Sequence, residues 1–326
     1  MATVTANAVR LLPEFDARQL QEELFSLGGQ RFSPQATYSE GEITESLTEG
    51  WRVLSLRSPG GDPSRTDAGG PGLVDYADTP YLEEAPYTAS VLRGLGASLR
   101  AVRFMSLEPG AAVGEHTDHP YGLPVGWARL HLPIVTNDQA VIVIEGVEHR
   151  WQPGELWYAN FGRPHHLYNH GPQPRVHLVI DVYVTPGLLD LFPADVRDGI
   201  DESVVMFQRP EVRLSSAELE GLSGSIPVPE NFLRTYPEPP TVTEFEEAAV
   251  PDSVGDLRAE NGRLVLRVGD RYETVLVHLG GLEFRPLCWT EERTMRFTDT
   301  AGTSRIVFGY RHGGHRAETV RQGSPS

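Results

Sequence analysis

The sequence holds a single cysteine, Cys288, among 326 residues. That excludes an internal disulfide framework and a cysteine-rich zinc site. No uninterrupted apolar run reaches the roughly 18–20 residues that a membrane-crossing helix requires. Basic residues are also scarce: 28 Lys and Arg stand against 45 Asp and Glu, for a net charge of −17. A surface of that sign repels phosphate backbones and anionic lipid, so neither nucleic acid nor a membrane is expected as a partner. The N-terminal stretch MATVTANAVRLLPEFDARQL shows no basic segment followed by an apolar one, the pattern of a secretory signal. The expected location is cytoplasmic.

What is present points to a folded, strand-rich chain. Hydrophobic residues at 39% and charged residues at 22% permit a sizeable core and argue against wholesale disorder. The length suggests about two domains, or one with an extension. With 33 Gly and 26 Pro, the composition favours short strands and tight turns over a helical bundle. Near the N-terminus, Asp16 is placed to cap a helix whose apolar stripe is Leu20, Leu24 and Leu27, with Gly28-Gly29 ending it. WRVLSLR (51–57) alternates as a half-buried strand, residues 58–72 read as a mobile Gly/Pro/Asp loop, and a helix is expected around 86–99. From Val102 to Val184 the chain is strand and turn at short spacing, which predicts a mainly β fold: a double-stranded β-helix, or jelly roll, of the cupin-like kind, with flanking helices. Residues 186–222 look helical. The Pro- and Glu-rich stretch 226–252 reads as a linker, with Glu244, Glu246 and Glu247 on a solvated face. A small β-rich C-terminal module is expected over 253–312, with hairpin turns at Asn261-Gly262 and Gly269-Asp270, and a disordered tail over 313–326.

The histidines are not spread evenly. His116, His119, His131, His149, His165, His166, His170 and His177 are eight of the eleven, all inside the strand-rich core. Imidazole is the commonest metal ligand, so a metal site is the first hypothesis. In His116-Thr117-Asp118 the two outer side chains share one face of an extended segment, so an imidazole and a carboxylate can reach one cation. A histidine from a later strand, His165 or its neighbour His166, completes two imidazoles and one carboxylate. That set occupies one face of an octahedron and leaves three positions open, which suits non-haem Fe(II). Arg175, ten residues beyond His165, opens the most hydrophobic strand of the chain, RVHLVIDVYV. A guanidinium at the mouth of a buried strand can grip a carboxylate with two hydrogen bonds.

The run RFMSLEPGAAVGEHTDH…RLHLPIV…GELWYANFGRPHHLYNHGPQPRVHLVIDV resembles the aspartyl/asparaginyl β-hydroxylase family of Fe(II)/2-oxoglutarate dioxygenases, over about residues 50–185. The resemblance implies that His116, Asp118 and His165 hold iron and that Arg175 binds the distal carboxylate of 2-oxoglutarate. It also implies that Arg129 and His131 of RLHLP contact this cosubstrate. Where some members carry a cosubstrate-holding Ser, this chain has Met105. Some members have Gly at the position of Asp118, so its presence here points to hydroxylation over halogenation. The dioxygenase domain is expected over 1–225, with its core at about 100–185. O2 is the implied co-reactant, and the side chain of an amino acid is hydroxylated. The expected target is the β-carbon of an Asp residue in a peptide, because the extra C-terminal module exceeds what a free amino acid needs; peptide natural-product tailoring is a setting that suits it. A free amino acid such as proline or aspartate is the alternative, and a non-oxidative cupin-type metalloenzyme the second. Arg103 is a candidate clamp for a substrate carboxylate, Asn160 a candidate for the mouth, and Tyr121, Trp127 and Trp157 are expected in core packing. Cys288 is expected to be an inert buried thiol.

Overall fold

The computed structural model describes residues 6–39, 42–118, 121–234, 245, 250–300 and 303–323. Expectations for His119, for Glu244, Glu246 and Glu247, for most of the linker (235–244 and 246–249) and for residues 324–326 of the tail lie outside the described residues. Two compact units divide the chain. The first comprises Met1–Thr37, Ile43–Gly69 and Tyr76–Phe207; the second comprises Tyr38–Glu42, Gly70–Asp75 and Gln208–Ser326.

In chain order up to Phe207 the elements are β1 (Ala8–Glu14), α1 (Ala17–Leu27), β2 (Ser33–Pro34), β3 (Ala36–Ser39), β4 (Glu42–Glu45), β5 (Trp51–Pro59), β6 (Tyr76–Asp78), α2 (Pro80–Glu83), α3 (Pro86–Gly94), β7 (Ser98–Leu107), β8 (Ala112–His116), β9 (Trp127–Val135), β10 (Ala140–Ile144), β11 (Val147–His149), β12 (Glu155–Ala159), β13 (His165–Asn169), β14 (Arg175–Tyr183), α4 (Pro186–Leu189) and α5 (Ala194–Arg197). Helix α1 forms as its sequence dictates. Asp16 accepts from the backbone N–H groups of Arg18 and Gln19, Leu20, Leu24 and Leu27 are buried, and Gly28 turns out at a φ of 78°. The expected helix around 86–99 stops at Gly94, and the chain is already strand at Ser98.

The first unit is a mainly β jelly roll of two antiparallel sheets. The larger has the order β1-β12-β9-β14-β7-β5-β2, with β6 on β5; the smaller is β11-β10-β13-β8. Strand β14 sits inside the larger sheet and is buried along its whole length. Its residues nevertheless alternate in kind. Val176, Leu178, Ile180 and Val182 join the main core, where they meet Leu54, Phe104, Leu130 and the apolar stripes of α1, α3 and α4. Arg175, His177, Val179 and Asp181 point to the opposite face. Register aligns that polar parity across the sheet: Val179 stands opposite Arg103 of β7 and His131 of β9, and Asp181 opposite Arg129 of β9. One face of the sheet is thus a helix-covered core, and the other carries the chemistry. The loop after β5, expected to be mobile, is anchored at Asp67. This fully buried carboxylate takes two hydrogen bonds from Arg65, at 2.7 and 2.8 Å, and one from the Gly69 N–H.

In the second unit, α6 (Ser216–Gly221), β15 (Gly224–Pro229), α7 (Glu230–Leu233), β16 (Asp252–Glu260), β17 (Arg263–Val268), β18 (Tyr272–Gly280), β19 (Glu283–Pro286), β20 (Arg293–Thr300), β21 (Thr303–His312) and β22 (His315–Gln322) follow in order. The eight strands form one antiparallel sheet in chain order around a separate core that includes Leu257, Leu266, Phe284, Met295 and Phe308. Two boundaries differ from the sequence reading. Residues 224–233, expected partly as linker, are strand and helix. The tail expected to be disordered forms β22, whose Ala317 and Thr319 face inward while Glu318 between them faces out. With so few apolar residues in HRAETVRQ, composition hides a strand that the pairing with β21 holds. The stretch 186–222 is helical only in short pieces, α4, α5 and α6, with a 3-10 turn at Glu202–Val204. Cys288 is buried, and its Sγ lies 3.3 Å from the Val74 carbonyl oxygen.

Candidate metal centre

The smaller sheet brings two histidines together by register. His116 ends β8, His165 begins β13, and the two are cross-strand partners with ring centroids 4.2 Å apart. Asp118 follows two residues after His116, and its backbone N–H donates to the Phe161 carbonyl at 2.8 Å. One ligand atom from each of His116, Asp118 and His165 can be chosen so that all lie within 4.8 Å of one another. Alternation along β13 decides between the two adjacent histidines. His165 is buried on the inner face, whereas His166 turns outward and stacks beside Tyr168.

Both inner imidazoles are held by backbone carbonyls. His116 Nδ1 lies 2.8 Å from the Gly114 oxygen, and His165 Nδ1 lies 2.9 Å from the Arg163 oxygen. A carbonyl only accepts, so Nδ1 is the donor in each ring, and in the neutral imidazole Nε2 is then the nitrogen with the lone pair. This is the arrangement a metal-binding imidazole needs. Burial pushes the His165 imidazole below its usual range, which keeps it neutral and able to donate that lone pair. Two imidazole nitrogens and a carboxylate oxygen form a donor set suited to Fe(II).

Arg129, which the resemblance places at the cosubstrate, is bound to protein groups. Its Nη1 donates to Asp118 Oδ2. Its Nε and Nη2 donate to the two oxygens of Asp181, at 2.7 and 3.0 Å, and Nη2 also donates to the Tyr121 hydroxyl at 2.7 Å. Four of its five N–H groups are spent within the protein. The cross-strand position of Asp181 draws the guanidinium there. Arg103, considered as a substrate clamp, is committed likewise: its Nη2 donates to Asp181 at 2.8 Å and its Nη1 to the Thr66 carbonyl at 3.3 Å. Burial alone raises the Asp181 carboxyl, but Arg129 and then Arg103 hold it below its ordinary value.

Arg175 is different. It is 5% exposed and donates from Nη2 to His177 Nδ1 at 2.8 Å, yet among the described residues no carboxylate pairs with it. Burial pushes it down to about 9. His177 leads on to His131, with Nδ1 atoms 3.2 Å apart. Burial, and next the Arg175 charge, keep both imidazoles well below their usual range. Trp151 stands edge-on to His131 with ring centroids 5.5 Å apart. Trp151 Nε1 and His131 Nε2 are buried without a hydrogen-bond partner, the orphaned polar atoms found where a polar ligand belongs. Met105 is buried and lies opposite His177 in the β7–β14 register.

The remaining sequence candidates fall outside this constellation. His149 is half-buried against Trp151, and His170 stacks on Tyr168 at the surface. Trp127 lies under the Arg100 guanidinium, Trp157 stacks on Trp151, and Asn160 accepts from the Gly162 N–H. Sequence reasoning missed Asp181 and Trp151. Asp181 carried a signal: an acid in the most hydrophobic strand, at the same parity as Arg175. Trp151 sits between strands and carried none.

Residues 14–185 match the sequence family described as Aspartyl/Asparaginyl beta-hydroxylase. The L-proline cis-4-hydroxylase of Rhizobium meliloti (strain 1021) is 24% identical over 218 residues, 65% of this chain and 72% of that protein. Two solved structures are similar over about half of this chain. One is a 2OG-Fe(II) oxygenase family oxidoreductase from Burkholderia pseudomallei, with 13% identity, a TM-score of 0.37, and coverage of 54% of this chain and 84% of the other. The second is a Pseudomonas putida prolyl-4-hydroxylase, with 14% identity, a TM-score of 0.33, and coverage of 55% and 93%. The family match spans more than half of the sequence, so this chain belongs to the aspartyl/asparaginyl β-hydroxylase family and is a dioxygenase of the hydroxylase type.

Proposed function

We propose that the protein hydroxylates the side chain of a free amino acid, of which proline is the representative, using Fe(II), 2-oxoglutarate and O2. The observation that carries the chemistry is the convergence of His116, Asp118 and His165, together with a buried Arg175 that no carboxylate among the described residues pairs with. The likeness to a proline hydroxylase supports the substrate class.

His116, Asp118 and His165 hold the iron, with both Nε2 lone pairs pre-set by the Gly114 and Arg163 carbonyls. Arg175 takes the distal carboxylate of the keto acid, and Trp151 Nε1 offers a further donor on the same inner face. His131 adjoins Arg175 through His177. Bound Fe(II) and 2-oxoglutarate supply the oxidising chemistry, in which the keto acid leaves as succinate and CO2 and one oxygen atom enters a substrate C–H bond. The protein's part is ligand geometry and a gripped cosubstrate.

A second reading, hydroxylation of an Asp residue within a peptide, is favoured by the additional unit from Gln208 onward. The test is Fe(II)-dependent succinate release with free amino acids and with Asp-containing peptides, together with product mass. Oxygen gain on a free amino acid is the expected result. Gain on peptides alone supports the second reading. Neither gain nor succinate, across both panels, overturns the hydroxylase assignment for this site.

A further inference from the structure

A chain of alternating charge runs across the inner face of the larger sheet: Arg103, Asp181, Arg129 and Asp118. Arg103 and Asp181 are both at most 2% exposed, and Arg129 is largely buried. Three strands contribute, β7, β14 and β9, and the fourth member is the one acid of the metal-binding trio. The carboxylate of Asp118 stands past the end of β8 with its side chain 20% exposed, so the strand does not fix its rotation. Arg129 takes Oδ2, which leaves Oδ1 on the side of His116, 3.6 Å from its Nε2. Arg129 is in turn gripped by both oxygens of Asp181, and Arg103 holds Asp181 from the other side.

We propose that Asp181 and Arg129, backed by Arg103, are positioning residues that make Asp118 present one oxygen rather than two to the metal. The inference rests on the iron-binding reading of His116, Asp118 and His165. Its chemical point is a count. An octahedral ion with two imidazoles and one carboxylate oxygen keeps three positions, two for a chelating keto acid and one for O2. A carboxylate bound through both oxygens takes one of those three. A guanidinium locked onto Oδ2 prevents that, and it also holds the carboxylate in place before metal arrives. Arg129 then serves the metal ligand, and gripping the cosubstrate falls to Arg175.

The experiment is anaerobic titration of the full chain with Co(II), read by calorimetry and by the visible absorption of the bound ion, together with the KM for 2-oxoglutarate. Arg129→Lys keeps a positive charge but cannot hold Asp118 and Asp181 together. Asp181→Asn keeps the shape and removes the anchor. Each weakens Co(II) binding by about 10- to 100-fold, as loss of a residue supporting a metal ligand typically does. The KM for 2-oxoglutarate stays within a few-fold, and the double variant loses far less than the product of the two single effects, since both act through one contact. Should Asp181→Asn fail to fold by circular dichroism, Arg129→Lys decides the question. Unchanged Co(II) affinity in folded Arg129→Lys overturns the proposal, and a raised KM for 2-oxoglutarate beside it makes Arg129 a cosubstrate contact. A parent protein that binds no Co(II) overturns the iron-binding reading itself, and this inference with it.

Discussion

Arg175 shows how a single buried side chain can point to the ligand it serves. A guanidinium carries five donors and a charge that does not leave it at neutral pH, so burying it without an acid costs several kcal/mol. The neighbour it has, His177, is neutral and supplies only one acceptor atom. The depression from 12.5 to about 9 expresses the same cost: the charged form is disfavoured in the folded state. A dicarboxylate relieves it. Arg175→Met keeps the length and removes the charge, so the ligand-free variant is expected to unfold at or above the parent's midpoint. The same variant loses the cosubstrate grip, and its KM for 2-oxoglutarate rises about 100-fold, in line with the 2–5 kcal/mol that truncating a buried charged pair costs. A midpoint lower by more than about 3 °C shows that the arginine stabilises the fold, and the argument fails there.

Elements translate such residues into a site through parity and register. The turn before β12 illustrates how local geometry fixes an element's path. Gly154 has a φ of +87°, and a Cβ placed on it meets the Phe15 carbonyl oxygen at 2.4 Å. The Phe15 N–H donates to the Gly154 carbonyl at 2.9 Å, so this turn ties the end of β1 to the start of β12. Gly154→Ala therefore strains the backbone and displaces that contact, and is expected to cost roughly 2–4 kcal/mol in urea unfolding; a loss under about 0.5 kcal/mol contradicts it. Parity was legible in the sequence. The spacing of His116 and Asp118, the i, i+4, i+7 leucines of α1 and the alternation of β14 all carried over into the structure, because each is a local pattern. Register was not legible. That Asp181 lies opposite Arg129 is a relation between β14 and β9, and the sequence does not state which residues two strands set side by side. The same limit hides the contacts of Arg129 with Asp181 and Asp118. It also explains β22, whose residues become a strand only by pairing with β21, and the second unit's use of Tyr38–Glu42 and Gly70–Asp75, far from Gln208 in sequence.

At the scale of the whole molecule, stability against acid combines two opposed effects. The chain carries a net charge of −17 with an isoelectric point near 5.1, so mild acidification reduces self-repulsion. Inside the first unit, however, His131, His165 and His177 are held neutral, chiefly by burial, with imidazoles below the ordinary 6.5. An unfolded chain binds protons at these positions near pH 6.5, and the folded chain does not. Their contribution is therefore present above that pH and is lost as the pH falls through it, by about 1.4 kcal/mol per pH unit for each histidine that stays neutral. Replacing one of them separates the two effects, because self-repulsion is common to parent and variant. His177→Gln keeps an acceptor for Arg175 and removes one titrating group. Two cores in one chain need not unfold together, so the stability of the first unit is read from hydrogen exchange of peptides from β14, with chelator present to exclude metal. Between pH 6.5 and 5.5, where the unfolded group is only partly protonated, the parent is expected to lose about 1 kcal/mol more than His177→Gln, and lowering the pH further brings in carboxylates that both proteins share. Parallel profiles across that window mean that His177 is protonated in the folded protein as readily as in the unfolded one, and the picture of a neutral imidazole beside the Arg175 cation is then wrong.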